Sequence, residues 1–169
     1  MEKLSRGIQK VINAGLFQNY GAYIDVENDQ HKFCVLGGCA LMTGYVNSYD
    51  LNYITGNLPI GLVKHNTDHY LNLGSGYGIS GLLSECYFDF VLTPESLKLI
   101  EDNFINTSNR VSNLFSGLNK FFNPDINNTD MAEYSLRDLA MYLNDAYNKT
   151  FEEILEIVKW CEDNLSYYQ

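Results

Sequence analysis

A thiol, an imidazole and a side-chain amide occur along this chain in an order that could support nucleophilic catalysis. Cys34 comes first, His65 and His69 follow, and Asn144 lies far downstream beside Asp145. A thiolate can attack a carbonyl when a histidine takes its proton and an amide or carboxylate orients that histidine. The set Cys34, His69 and Asn144 therefore defines one hypothesis, a cysteine hydrolase with Cys34 as its nucleophile.

The surroundings of Cys34 favour a structural role. Val35 and Leu36 follow it directly, and the chain lacks the local cysteine signature of papain-like hydrolases, which use the same order of residues. A cysteine in an apolar run behaves as a small buried hydrophobic residue. Asn144 and Asp145 suit a polar corner between two helices, because their short side chains bond neighbouring backbone groups. Our leading prediction is that the chain has no catalytic residues.

The cysteines and histidines could also suggest a zinc site, since both residue types bind zinc. Cys34 and Cys39 would point to different sides of a helix. The gap between Cys39 and His65 is too long for a compact zinc finger, although His65 and His69 could share a helix face. We predict no metal and no cofactor.

A glycine-rich run is the candidate ligand site, and it contains Gly74, Gly76 and Gly78. Glycines expose backbone amides, which can bind a small anionic ligand. The run has no nearby lysine and matches neither nucleotide-binding fingerprint, so a flexible loop is the simpler interpretation.

Apolar periodicity predicts an α+β fold that is mostly α, with a helical core and a small two- or three-stranded antiparallel sheet. Local signals support this fold. Gly15 is typical of a helix end, and a capping box of Thr150 with Glu153 is typical of a helix start. Between them, a strand, a turn and a second strand are predicted to form a hairpin. The predicted elements are helices at 3–14, 35–43 and 131–144, a helix after Thr150, and strands at 21–26 and 31–34. The weakly periodic residues 45–92 are predicted to be an irregular insertion in a single domain, 1–169.

The sequence Thr93-Pro94-Glu95 predicts the start of a long helix, because it combines a hydroxyl cap, a proline in the first turn and an acid near the positive helix end. Apolar residues from Leu97 to Leu118 then follow a heptad spacing, and the polar stretch 106–109 marks a possible break. This seam can pack in the chain's own core or form a homodimer.

The composition limits the classes of partner. The chain has 169 residues and a formal net charge of -10, which excludes direct binding to a nucleic-acid backbone and favours a partner with a basic surface. No apolar run is long enough for export or a membrane span, so we expect a cytoplasmic protein with four free cysteines and no membrane contact.

Asparagine is frequent, with 19 residues, whereas arginine occurs three times. This bias is typical of AT-rich genomes, which are common in phages and in some bacteria. It predicts a phage-encoded protein in the cytoplasm of a host.

Two segments resemble a family of small uncharacterised bacterial and phage proteins. The first is Phe33-Cys34-Val35-Leu36-Gly37, and the second combines Leu143-Asn144-Asp145 with the helix that starts at Thr150. Members of that family carry a Cys-Ala-Leu-Gly-Ala-Leu run and a Trp-Asn-Asp sequence before the last helix. This chain departs from the pattern at Gly38-Cys39 and at Leu143, and the resemblance implies no function.

The functional expectation is a non-catalytic acidic binding protein. It would engage a host protein, for example as an inhibitor of a host defence system, or sequester a small anionic ligand. A cysteine hydrolase that uses Cys34 is the alternative.

Overall fold

Helices make up most of the described residues in this computed structural model, which describes residues 1–22, 24–27, 30–42, 83–105, 113–124 and 133–165. In chain order the elements are α1 (Leu4–Ala14), β1 (Phe17–Gln18), β2 (Ile24–Glu27), β3 (Gln30–Phe33), α2 (Val35–Leu41), β4 (Val91–Leu92), α3 (Pro94–Phe104), α4 (Leu114–Phe122), β5 (Tyr134–Ser135), α5 (Leu136–Asp145) and α6 (Phe151–Asn164). The predicted α+β, mostly α fold is confirmed.

Two small sheets accompany the helices. In the first, the strand order is β1-β3-β2, and β2 pairs with β3 as the predicted antiparallel hairpin, in a register that places Ile24 opposite Phe33. The two-residue strand β1 pairs parallel to β3, so this sheet is mixed and not purely antiparallel. A strand of two residues is too short for its alternation of apolar and polar side chains to be recognised in the sequence. In the second sheet, β4 pairs antiparallel with β5.

Helix α1 forms because its apolar residues share one face. Leu4, Ile8 and Val11 lie three or four positions apart, and all three are fully buried. The helix ends at Gly15, whose φ of 68° is left-handed and favours glycine. The helix predicted at 3–14 is confirmed.

Helix α2 is short and completely buried, as predicted for 35–43. It packs between α1 and α5. A Cβ atom at Gly38 would lie 2.9 Å from Val11 Cγ2, so the absence of a side chain allows the close approach of α1 and α2. The small residues in this run are therefore a packing requirement.

The apolar seam from Leu97 to Leu118 belongs to two helices. Thr93 caps α3 as predicted, α3 ends at Phe104 before the polar stretch, and α4 begins after Asn113, whose side chain accepts a hydrogen bond from the Ser116 amide. Leu97, Leu114 and Leu118 are at most 2% exposed, so the seam packs in the chain's own core. A homodimer through this segment stays a prediction, and it would have to use other side chains.

The last two helices both begin with a capping box. Ser135 and Asp138 form one at α5, so this helix starts at Leu136 and the predicted start at 131 is wrong. Tyr134 and Ser135 belong instead to β5. At α6 the capping box of Thr150 with Glu153 is confirmed.

Residues 83–92, the last part of the predicted insertion 45–92, contribute to the core. Residues 83–86 are helical, Tyr87 forms a parallel bridge with Glu2, and Leu83 and Leu92 are buried. Residues 45–82 lie outside the described residues. Within the described ranges, none of the helices has the length and apolar character needed to cross a membrane.

Candidate functional site

The side-chain amide of Asn144 joins three parts of the fold. Asn144 is completely buried near the end of α5. Its Oδ1 accepts hydrogen bonds from the Val35 backbone nitrogen at 3.0 Å and from Gln18 Nε2 at 2.9 Å. Its Nδ2 donates to the Asn19 carbonyl oxygen at 2.8 Å and to Asp145 Oδ1 at 2.7 Å. These four bonds use both donors of the amide and two acceptor positions.

Two further hydrogen bonds connect the same region. Gln18 Nε2 also donates to the Lys149 carbonyl oxygen at 2.7 Å, and the Gly21 backbone nitrogen donates to Asp145 Oδ1 at 3.0 Å. We call the set Gln18, Cys34, Asn144, Asp145 and Lys149 the Cys34–Asn144 corner. Sequence reasoning missed Gln18, because its contact with Asn144 spans 126 positions and no local signal marks it.

The thiol of Cys34 is buried in this corner. Its side chain is 2% exposed, and Sγ accepts a hydrogen bond from the Gly37 backbone nitrogen at 3.3 Å, which makes Cys34 the cap of α2. Burial raises the pKa of the thiol from 9.0 to about 12; the hydrogen bond from Gly37 opposes this shift and the Asp145 carboxylate adds to it. Because the thiolate is the reactive form, a raised pKa disfavours nucleophilic attack by Cys34 at neutral pH.

The structure brings together two members of the hydrolase set, Cys34 and Asn144. The third, His69, lies outside the described residues, as does His65, so the full set stays a prediction. The same is true of the glycine ligand site, Gly74, Gly76 and Gly78. Among the described side chains, no three histidines, cysteines or acids are grouped closely enough to hold a metal ion.

Two tyrosines flank the corner and are open to solvent. Tyr20 is 48% exposed and precedes Gly21, and Tyr147 is 36% exposed and follows Asp145 by two positions. The Tyr147 ring packs edge-on against Tyr142, with ring centres 5.3 Å apart. Tyr20 directly precedes Gly21, whose amide donates to Asp145, and we call Tyr20, Asp145 and Tyr147 the tyrosine surface.

Comparison with family models, with curated proteins and with solved structures finds no match to this chain. The resemblance at Cys34 and Asn144 therefore stays a prediction. The geometry nevertheless gives both residues a physical role, since the Asn144 amide binds the peptide that directly follows Cys34. The corner can fix the relative positions of α2, β1 and α5.

Proposed function

We propose that this chain is a non-catalytic binding protein that engages a partner protein of basic charge through the tyrosine surface. The observation that carries the proposal is the exposure of Tyr20 and Tyr147 above a corner whose thiol and amide are enclosed. Tyrosine is enriched at the residues that dominate binding energy, because its ring buries a large apolar area and its hydroxyl can form a hydrogen bond. The packing of Tyr147 on Tyr142 limits the ordering cost on binding.

Charge selects the type of partner. The chain has a net charge of -10, and Asp145 places a carboxylate within the tyrosine surface. Complementary potential accelerates encounter with a basic protein and disfavours an acidic one. If the gene belongs to a phage, the partner is a host protein, and inhibition of a host defence system is one such role. A small anionic ligand is the second kind of partner.

Alanine substitutions test the proposal. The tagged chain would be used to retain partners from a lysate, and the retained protein would then be purified for binding measurements. We expect Tyr20→Ala and Tyr147→Ala each to weaken binding at least about tenfold, as for residues that dominate an interface. Higher salt should weaken binding further.

Phe88→Ala is the matched control, because Phe88 is an exposed aromatic residue, at 54%, outside the tyrosine surface. It should bind like the wild type. Equal losses in all three variants, or a partner that binds the tyrosine variants normally, would contradict the proposal. Cys34→Ser should retain binding, whereas a hydrolase would lose its activity with this substitution.

A further inference from the structure

The surface between α1 and α6 contains a groove of about 340 Å³ that differs in charge from the rest of the chain. We call it the basic groove. It is lined by Lys3, Ser5, Arg6, Gln9, Leu155, Lys159, Glu162 and Asp163. Three cationic side chains face two carboxylates there, whereas the whole chain carries 11 basic and 21 acidic residues. The groove is therefore locally positive in an acidic protein.

Both carboxylates of the groove already have donors. Glu162 is 7% exposed and accepts hydrogen bonds from the Ser5 backbone nitrogen at 3.0 Å and from Ser5 Oγ at 2.5 Å. Asp163 lies 3.6 Å from Lys3 Nζ. In the part of the chain that the structure describes, no carboxylate forms an ion pair with the exposed side chains of Arg6 and Lys159.

We infer that the basic groove binds the oxyanion of a small organic molecule through Arg6 and Lys159. The planar guanidinium of Arg6 matches two oxygens of a phosphate or carboxylate group, and Lys159 adds a second positive charge. Leu155, which is part of the lining, offers apolar contact to the rest of the ligand. The volume suits a small ligand, since it lies near the lower end of the range for small-molecule sites.

This inference rests on the proposed function, because it names the chemistry of the small anionic ligand that such a binding protein would hold. The glycine site of Gly74, Gly76 and Gly78 lies outside the described residues and stays a separate prediction. Arg6 lies on α1 and Lys159 on α6, and both residues are exposed, so an oxyanion bound between them would bridge the two helices.

Titration with phenyl phosphate, followed by amide NMR shifts of the ¹⁵N-labelled full chain, tests the inference. We expect saturable shifts in the first turn of α1 and the last turns of α6. Inorganic phosphate should bind more weakly because it lacks an apolar part. Benzoate would show whether the groove also accepts a carboxylate. Phenol, which has no oxyanion at neutral pH, should leave the same amides unchanged. Arg6→Gln and Lys159→Gln should each weaken phenyl phosphate binding at least about tenfold.

Lys120→Gln is the matched control, since Lys120 is an exposed cation on α4, away from the groove. It should bind phenyl phosphate within about twofold of the wild type. The inference is overturned if no shift saturates, if phenol shifts the same amides, or if Lys120→Gln loses as much affinity as the groove variants. These results would not test partner binding through the tyrosine surface, because that surface uses different residues. Tyr20→Ala should bind phenyl phosphate as the wild type does.

Discussion

Replacing Asn144 with alanine is expected to lower the free energy of unfolding by about 3 kcal/mol or more. The substitution removes four hydrogen bonds at a completely buried position. It leaves the buried Val35 amide and the part-buried Asn19 carbonyl without their partner, and a buried group left unpaired costs about 1–3 kcal/mol. Urea unfolding followed by circular dichroism would measure the change.

Asn164→Ala is the matched control, because this asparagine also donates to a backbone carbonyl, that of Trp160, but is exposed. Its effect should stay within about 0.5 kcal/mol. If Asn144→Ala does not fold, Gln18→Ala supplies a milder test of the same corner, since it removes one of the four bonds and should also destabilise. An effect of Asn144→Ala no larger than that of Asn164→Ala would show that the corner does not stabilise the fold.

Stability is expected to fall steeply as the pH rises from 9 towards 12. Burial raises the pKa of Cys34 and of Cys161 from 9.0 to about 12, and it raises the pKa of Cys39 further. The three thiols stay protonated in the folded chain while they ionise in the unfolded chain, so the unfolded state binds fewer protons in this range. Each thiol should then lower the free energy of unfolding by about 1.4 kcal/mol per pH unit, and below pH 9 its contribution is complete.

Urea unfolding under reducing conditions at several pH values would measure this slope. Cys161→Ala removes one titrating thiol, so its slope should be shallower by about 1.4 kcal/mol per pH unit than that of the wild type. Cys86→Ala should change the slope less, since Cys86 is only partly buried. A free energy of unfolding that stays constant between pH 9 and 11 would contradict the burial of these thiols.

Local signals made much of the fold predictable. The glycine after α1, the Thr93-Pro94 start of α3 and the Thr150 capping box each act within a few residues, and the structure uses all three. The start of α5 shows the limit of periodicity. Apolar spacing extended that helix back to 131, whereas the cap at Ser135 sets its true start.

Contacts between distant segments were not predictable. Apolar periodicity treats a glutamate as a surface residue, yet Glu101 is 2% exposed and its Oε1 accepts a hydrogen bond from the Leu114 amide at 2.6 Å. Glu162 does the same for Ser5 at the start of α1. Each carboxylate serves the beginning of another helix, where free amides need an acceptor. Such pairings depend on the packing of helices, which no local pattern contains.

The Cys34–Asn144 corner combines features that the sequence predicts with features that it does not. The residue types of Cys34 and Asn144 indicate possible reactivity, and the structure brings the two close: the amide of Val35, directly after Cys34, donates to Asn144 Oδ1. The hydrogen bonds that pair the Asn144 amide come from residues 109 and 126 positions away, so no local pattern in the sequence indicates them. The sequence alone left a catalytic and a structural interpretation open for the same two residues.

Thiol labelling of the native chain with iodoacetamide at pH 7.5 tests the structural role of the Cys34–Asn144 corner most directly. A pKa of about 12, in place of 9.0, lowers the thiolate fraction of Cys34 about a thousandfold at this pH. Mass spectrometry of the digested chain should therefore find Cys86, the partly buried thiol, labelled while Cys34 remains unmodified until urea unfolds the protein. Labelling of Cys34 in the folded chain faster than an ordinary free cysteine would contradict a closed corner and favour the hydrolase.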